Sequence, residues 1–194
     1  RACEDRNGQS LAMSGAAQTA GATPALPPIT ARALIGFFAM AFGMFMAILD
    51  IQIVSASLSQ IQAGLSASAE EISWVQTSYL IAEVVMIPLS GYLSRLLSTR
   101  ILFVLSSASF TLMSVFCAMS TSIEQMVIFR ALQGFLGGAM IPTVVAGSYI
   151  LFGQGRAAGV SVFVGLIATL APTVGPTLGG ILTSAFSWHW LFLI

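Results

Sequence analysis

The stretch APTVGPTLGG, residues 171–180, packs Pro172, Gly175, Pro176, Gly179 and Gly180 into the middle of a long apolar run. In water, proline and glycine cost a helix interior about 3 and about 1 kcal/mol per position. In lipid the balance changes. Small residues let helix backbones approach closely, and neighbouring helices or hydroxyls can satisfy the carbonyls that a proline frees. Thr169, Thr173 and Thr177 are placed to do this. Gly175 and Gly179 form a GxxxG spacing, so the stretch reads either as a simple dimerisation ridge or as a helix shaped for a close partner. Two prolines four residues apart beside that ridge favour the shaped helix.

The composition supports lipid as the solvent. Charged residues make up 7% of the chain, hydrophobic residues 57%, and the mean hydropathy is +0.93. A soluble domain carries about 25% charged residues. The expected fold class is all-α, a polytopic transmembrane helix bundle, because a chain in lipid must satisfy its backbone internally. Membrane crossings need about 20 mostly apolar residues. Five complete spans are read at 33–57, 74–93, 101–118, 125–149 and 158–182, with the start of a sixth from Trp188. Residues 1–32 read as a disordered cytoplasmic N-terminal tail, and 33–194 as the transmembrane domain. Arg1 is not a start residue, and Met13 is a candidate one. The tail lacks a signal-peptide pattern, so the first apolar run is expected to act as an uncleaved anchor.

All seven basic residues are arginines, balanced by seven acidic ones. Arg1, Arg6, Arg32, Arg95, Arg100 and Arg156 fall on one side of the predicted spans, while Glu70, Glu71 and Glu124 fall on the other. That asymmetry places the N-terminus in the cytoplasm. No basic run reads as a nucleic-acid patch, and no nucleic-acid partner is expected. Cys3 and Cys117 offer no metal-ligand spacing, no disulfide is expected between them, and neither metal nor cofactor is implied. No HExxH, GxSxG or Walker loop occurs, so the chain does not read as an enzyme. His189, between Trp188 and Trp190, falls at a predicted interface where an aromatic belt explains the tryptophans.

Three ionisable residues fall inside predicted spans: Asp50, Glu83 and Arg130. Such groups cost at least about 2.5–3.5 kcal/mol at mid-membrane and mark functional sites by default. At about 1.5 Å per residue they lie roughly 8–14 Å from the outer face, level enough to share one interior cavity. One reading is proton coupling, since burial and a nearby arginine push a carboxylate in opposite directions. The other is a buried ion pair that only fixes packing, with Arg130 snorkelling outward and Glu83 a near-interface carboxylate.

Several motifs then fall in order. LDIQIVSASL at 49–58 carries Asp50, GYLSRLLSTR at 91–100 carries Gly91, Leu93 and Arg100, and RALQGFLGG at 130–138 carries Arg130, Gln133 and Gly134. With the opening stretch and WHWLFLI at 188–194, they resemble the N-terminal half of major facilitator superfamily transporters, in particular the fourteen-span drug:proton antiporters of the EmrB/QacA type. The resemblance runs from about residue 33 to the end. It departs from the family pattern at Arg95, which stands where an Asp is usual, and at Ser98, where Gly is usual. Gln52, Ser55 and Ser59 replace the usual Thr, Asn and Pro.

The resemblance implies a multi-pass inner-membrane carrier exporting hydrophobic drugs or toxic compounds in exchange for protons. Asp50, Arg130 and Glu83 would be coupling or cavity charges, and Gly175, Pro176, Gly179 and Gly180 a conformational switch helix. Its partners would be the lipid bilayer, small hydrophobic substrates, protons, the C-terminal half of the transporter and a periplasmic adaptor protein. The pseudo-repeat that it implies would relate span one to span four, each with one charge. A narrow-specificity metabolite or siderophore exporter of the same fold is one alternative. A non-transporting truncated membrane component is another, and residues 1–194 alone are expected to show no proton-coupled efflux.

Overall fold

In the computed structural model the described residues are 30–153 and 157–193. The tail up to residue 29, with Arg1, Cys3, Arg6 and Met13, lies outside them, as does Arg156. The described residues form seven α-helices and one 3-10 turn: α1 Ala31–Ala56, α2 Leu58–Leu65, α3 Ala69–Leu97, α4 Thr99–Ala118, α5 Ile123–Gly137, α6 Met140–Phe152, α7 Ala157–Ala185, and the turn Trp188–Phe192. Five stretches are long and apolar enough to cross a membrane, with α5 and α6 together forming one of them. Large apolar side chains cover the outside: Ile35, Ile150 and Val162 are 70–74% exposed. In water that surface would be unfavourable at about 25 cal/mol per Å². In a bilayer it is the solvated face.

The helices run longer than their apolar cores. The second span starts at Ala69 because Ser68 and Glu71 form a capping box: the Ser68 Oγ accepts from the Glu71 N–H at 3.2 Å, and the Glu71 carboxylate accepts from the Ser68 N–H at 2.9 Å. Glu70 and Glu71 thus sit in the first turn, where a helix favours negative charge. The segment IQAGLSASAEE, which looks like a plain linker, contributes to α2 and to the first turn of α3. Span four is interrupted at Gly138 and Ala139, since Pro142 has no N–H to give the Gly138 carbonyl. Residues Trp188–Phe192 wind as a 3-10 turn, and Trp188 is buried against Gly64 of α2 rather than standing in an interface belt.

Each long helix buries one stripe. On α3 it is Ile72, Val75, Tyr79, Glu83, Met86 and Ser90, spaced three or four residues apart, the helical period. On α5 it is Ile123, Met126, Arg130, Gln133, Gly134 and Gly137. Glycine lets these two stripes meet: a Cβ at Gly134 would strike the Tyr79 carbonyl, and one at Gly138 would come within 3.1 Å of the Glu83 Cα. A Cβ at Gly137 would meet the Phe110 ring at 2.5 Å.

The opening stretch lies within α7, and α7 packs on α1. Ala171, Gly175 and Gly179 form the buried ridge. A Cβ at Gly175 would sit 2.5 Å from the Gln52 Cβ, and one at Gly179 would sit 3.1 Å from the Ile53 carbonyl oxygen. Pro172, Pro176 and Gly180 face outward, and a Cβ at Gly180 meets nothing within 4 Å. The threonines act differently from expectation. Thr169 and Thr173 donate to the carbonyls of Leu166 and Thr169, not to those of Ala168 and Pro172 that the prolines free.

Between α3 and α4 only Ser98 is non-helical, at φ 67° and ψ 149°. That region is costly for any residue with a Cβ and open to glycine. The geometry gives a physical reason why a glycine would suit this position better than serine. Ser98→Gly should therefore stabilise the protein by about 1 kcal/mol, read as a raised melting temperature in detergent. Gly134→Ala should destabilise it by about 1–3 kcal/mol through overpacking, whereas Gly180→Ala should bring no loss; parallel melts of the two variants separate these outcomes.

Candidate functional site

The buried stripes of α1, α3, α4 and α5 converge on one polar cluster. Arg130 is 0% exposed, and Asp50 is 9% exposed. The Arg130 Nη1 donates to the Asp50 Oδ2 at 2.6 Å and to the Gln133 Oε1 at 2.7 Å. The Gln133 Nε2 in turn donates to the Ser114 Oγ at 2.7 Å, and the Cys117 thiol donates weakly to the Gln133 Oε1 at 3.7 Å. The guanidinium carbon stands 4.2 Å from the centroid of the Tyr79 ring and 5.8 Å from that of Phe192. Asp50 and Arg130 thus pair at one level, as their depths along the spans allow. Arg130 does not snorkel outward.

The surroundings are fitted to hold a cation. Asp50 supplies the countercharge, Gln133 a neutral acceptor, and the Tyr79 face a cation–π contact, worth about 2 kcal/mol when desolvated. Gln133 sits one turn after Arg130 on α5, so the two side chains meet on the same face. Removing one member of a buried ion pair typically costs about 3–5 kcal/mol, because the other is left uncompensated.

Glu83 is 8% exposed and follows Tyr79 by one turn on the buried stripe of α3. No hydrogen bond reaches its carboxylate among the described residues, and the ion pair found among them is that of Asp50 with Arg130. Beside Asp50 opens a cavity of about 390 Å³ between α1, α4 and the 3-10 turn, walled by Phe42, Met46, Phe103, Phe110 and Leu191, with Ser114 at its edge. It joins a large apolar surface to one carboxylate.

Gly175 and Gly179 contact α1 at Gln52 and Ile53, the residues shortly after Asp50, so the ridge of α7 abuts the site from behind. Pro176 and Gly180 point away from it. Gly91, Arg95 and Arg100 are exposed at the opposite end, and a Cβ at Gly91 would meet nothing within 4 Å. These three form no part of the cluster. No group of three or more metal-ligating side chains occurs among the described residues. Sequence reasoning missed Tyr79, Ser114 and Cys117. The one-turn spacing from Tyr79 to Glu83 was a usable signal for the first, but nothing marked the other two.

Comparison with known proteins shows the family that the motifs resemble. The family model for the Major Facilitator Superfamily matches residues 40–194. The chain is 52% identical over 168 residues to the colistin resistance protein EmrB of Acinetobacter baumannii, covering 87% of this chain and 32% of that protein. It is 37% identical over 155 residues to MdtD of Salmonella typhi, a protein named for multidrug resistance, covering 80% of this chain and 33% of the relative. The chain therefore spans about a third of the length of these relatives. With its apolar helices, its motifs and this match, the chain belongs to the Major Facilitator Superfamily.

Proposed function

We propose that this chain is the N-terminal part of a drug exporter of the inner membrane, driven by proton antiport, with its N-terminus in the cytoplasm. The observation that carries the coupling step is the Asp50–Arg130 pair, 2.6 Å long, with Arg130 fully buried and Asp50 bordering the cavity. A proton on that carboxylate would remove the countercharge that holds Arg130, which links proton uptake to rearrangement of the pair. The relatives' names, colistin resistance and multidrug resistance, favour a drug as the exported compound. The apolar cavity beside Asp50 suits a hydrophobic molecule with a cationic group.

The remaining roles follow from that reading. Gly175 and Gly179 would transmit a change at Asp50 to α7, while Pro176 and Gly180, facing outward, would serve a surface supplied by the rest of the carrier. A complete transport path would need the C-terminal portion, and a periplasmic adaptor would be a further partner.

In the full-length protein, reconstituted in vesicles, Asp50→Asn should abolish pH-driven exchange of a fluorescent substrate while leaving membrane insertion intact. Exchange at the unaltered rate would remove Asp50 from the mechanism. Orientation has its own check. A membrane-impermeant thiol reagent applied to intact cells should label Thr121→Cys and spare Arg95→Cys; the reverse pattern would invert the assigned topology.

A further inference from the structure

Two incompletely partnered groups lie along the α3–α5 seam. The first is one edge of Arg130: its Nε and Nη2 have no hydrogen-bond partner, although the residue is 0% exposed. The second is the carboxylate of Glu83, a residue 8% exposed, which has no hydrogen bond among the described residues and, unlike the arginine nitrogens, keeps some access to solvent. Buried donors are rarely left unmade, because each costs about 1–3 kcal/mol. The guanidinium is planar, and Nε–H and Nη2–H project from the same edge. That edge is one that receives both oxygens of a carboxylate side by side. Asp50 engages the other end, through Nη1 alone.

The seam fixes the register: the Glu83 backbone is level with Gly138, eight residues or about 12 Å along from Arg130, so the two side chains must close that gap. Gly134 abuts the Tyr79 carbonyl and Gly138 abuts the Glu83 Cα, so α3 and α5 run in register at van der Waals contact. The guanidinium already lies on the Tyr79 ring. Helical side chains lean toward the N-terminus of their helix, which directs Glu83 back toward Tyr79. The titratable or charged groups around this point are Asp50 from α1, Tyr79 and Glu83 from α3, Cys117 from α4 and Arg130 itself. The 3-10 turn contributes Phe192, and the described residues of α7 include no titratable side chain.

We propose that Arg130 exchanges carboxylates, pairing with Asp50 in the arrangement described and with Glu83 through its Nε–Nη2 edge once Asp50 takes up a proton. The proton comes from water and ends on a carboxylate oxygen of Asp50, neutralising it. Arg130 stays charged throughout, and Glu83 becomes its counterion. The step rests on the reading of Asp50 as the protonating group. Glu83 then has a definite role, which is to keep the arginine neutralised while the pair with Asp50 is open.

A melting cycle on the full-length protein in detergent tests the exchange, comparing wild type, Asp50→Asn, Glu83→Gln and the double variant. Asp50→Asn mimics the protonated state. Asp50→Asn should lower the melting temperature modestly, Glu83→Gln should leave it near the wild-type value or raise it, and the double should lie well below Asp50→Asn alone. Adding Arg130→Gln to the double should recover part of that loss, since the stranded cation is then gone. A double variant that no longer folds while both singles do is the same result in stronger form. Additive shifts, or an Asp50→Asn variant that cannot fold with Glu83 present, would overturn the exchange. The melts involve no transport. Additive melts with lost exchange in Asp50→Asn would keep antiport and discard the switch. A non-additive cycle with unaltered exchange would keep the pairing and discard the antiport role.

Discussion

A guanidinium in hydrocarbon sets the terms for everything around it. The charge cannot be shed, because arginine stays protonated in any protein setting, and its burial without a counterion is among the most unfavourable arrangements a membrane helix can adopt. Arg130 therefore dictates the level of Asp50 on α1, the presence of an acceptor one turn away at Gln133, and an aromatic face at Tyr79. Ser114 then answers the amide that Gln133 has left over. Four helices are placed by the needs of one side chain.

Glycine makes that placement reachable. Side chains of ordinary size at Gly134 or Gly138 would push α5 away from α3 and carry the guanidinium off the Tyr79 ring. The same device recurs where Gly175 and Gly179 bring α7 against α1 beside Asp50. The two seams meet the ion pair from opposite sides, one through its cation and one through its anion. In lipid, where no hydrophobic drive pulls helices together, such close backbone contact supplies much of the association energy.

The membrane-spanning class and the pairing of charges could be read from the residues, because hydropathy and the cost of burying charge are strong signals that act locally. The depth arithmetic put Asp50 and Arg130 at one level, and they meet. Element ends were less legible: Ser68 and Glu71 form a cap whose reach beyond the apolar run shows only in three-residue spacing, and the break at Gly138 and Ala139 follows from Pro142 several residues on. Ser114 and Cys117 could not be found at all, since a serine or cysteine in an apolar helix looks the same whether it bonds a neighbour or its own backbone. Trp188 misled for a related reason. Its size and polarity suit an interface, and only the bare backbone at Gly64 reveals that it has a pocket.

The single residue between α3 and α4 gives the bundle a lever. Helix α3 has 29 residues and so extends about 44 Å from Ser98. A torsional change of about 5° at that joint would sweep the far end through about 4 Å, about two-thirds of the radius of a helix with its side chains. Nothing in a one-residue joint resists such a swing except the fit of α3 along its neighbours. The glycine seam with α5 thus acts as a clamp on a long arm, and any event that loosens the clamp near Arg130 is magnified at the opposite membrane surface.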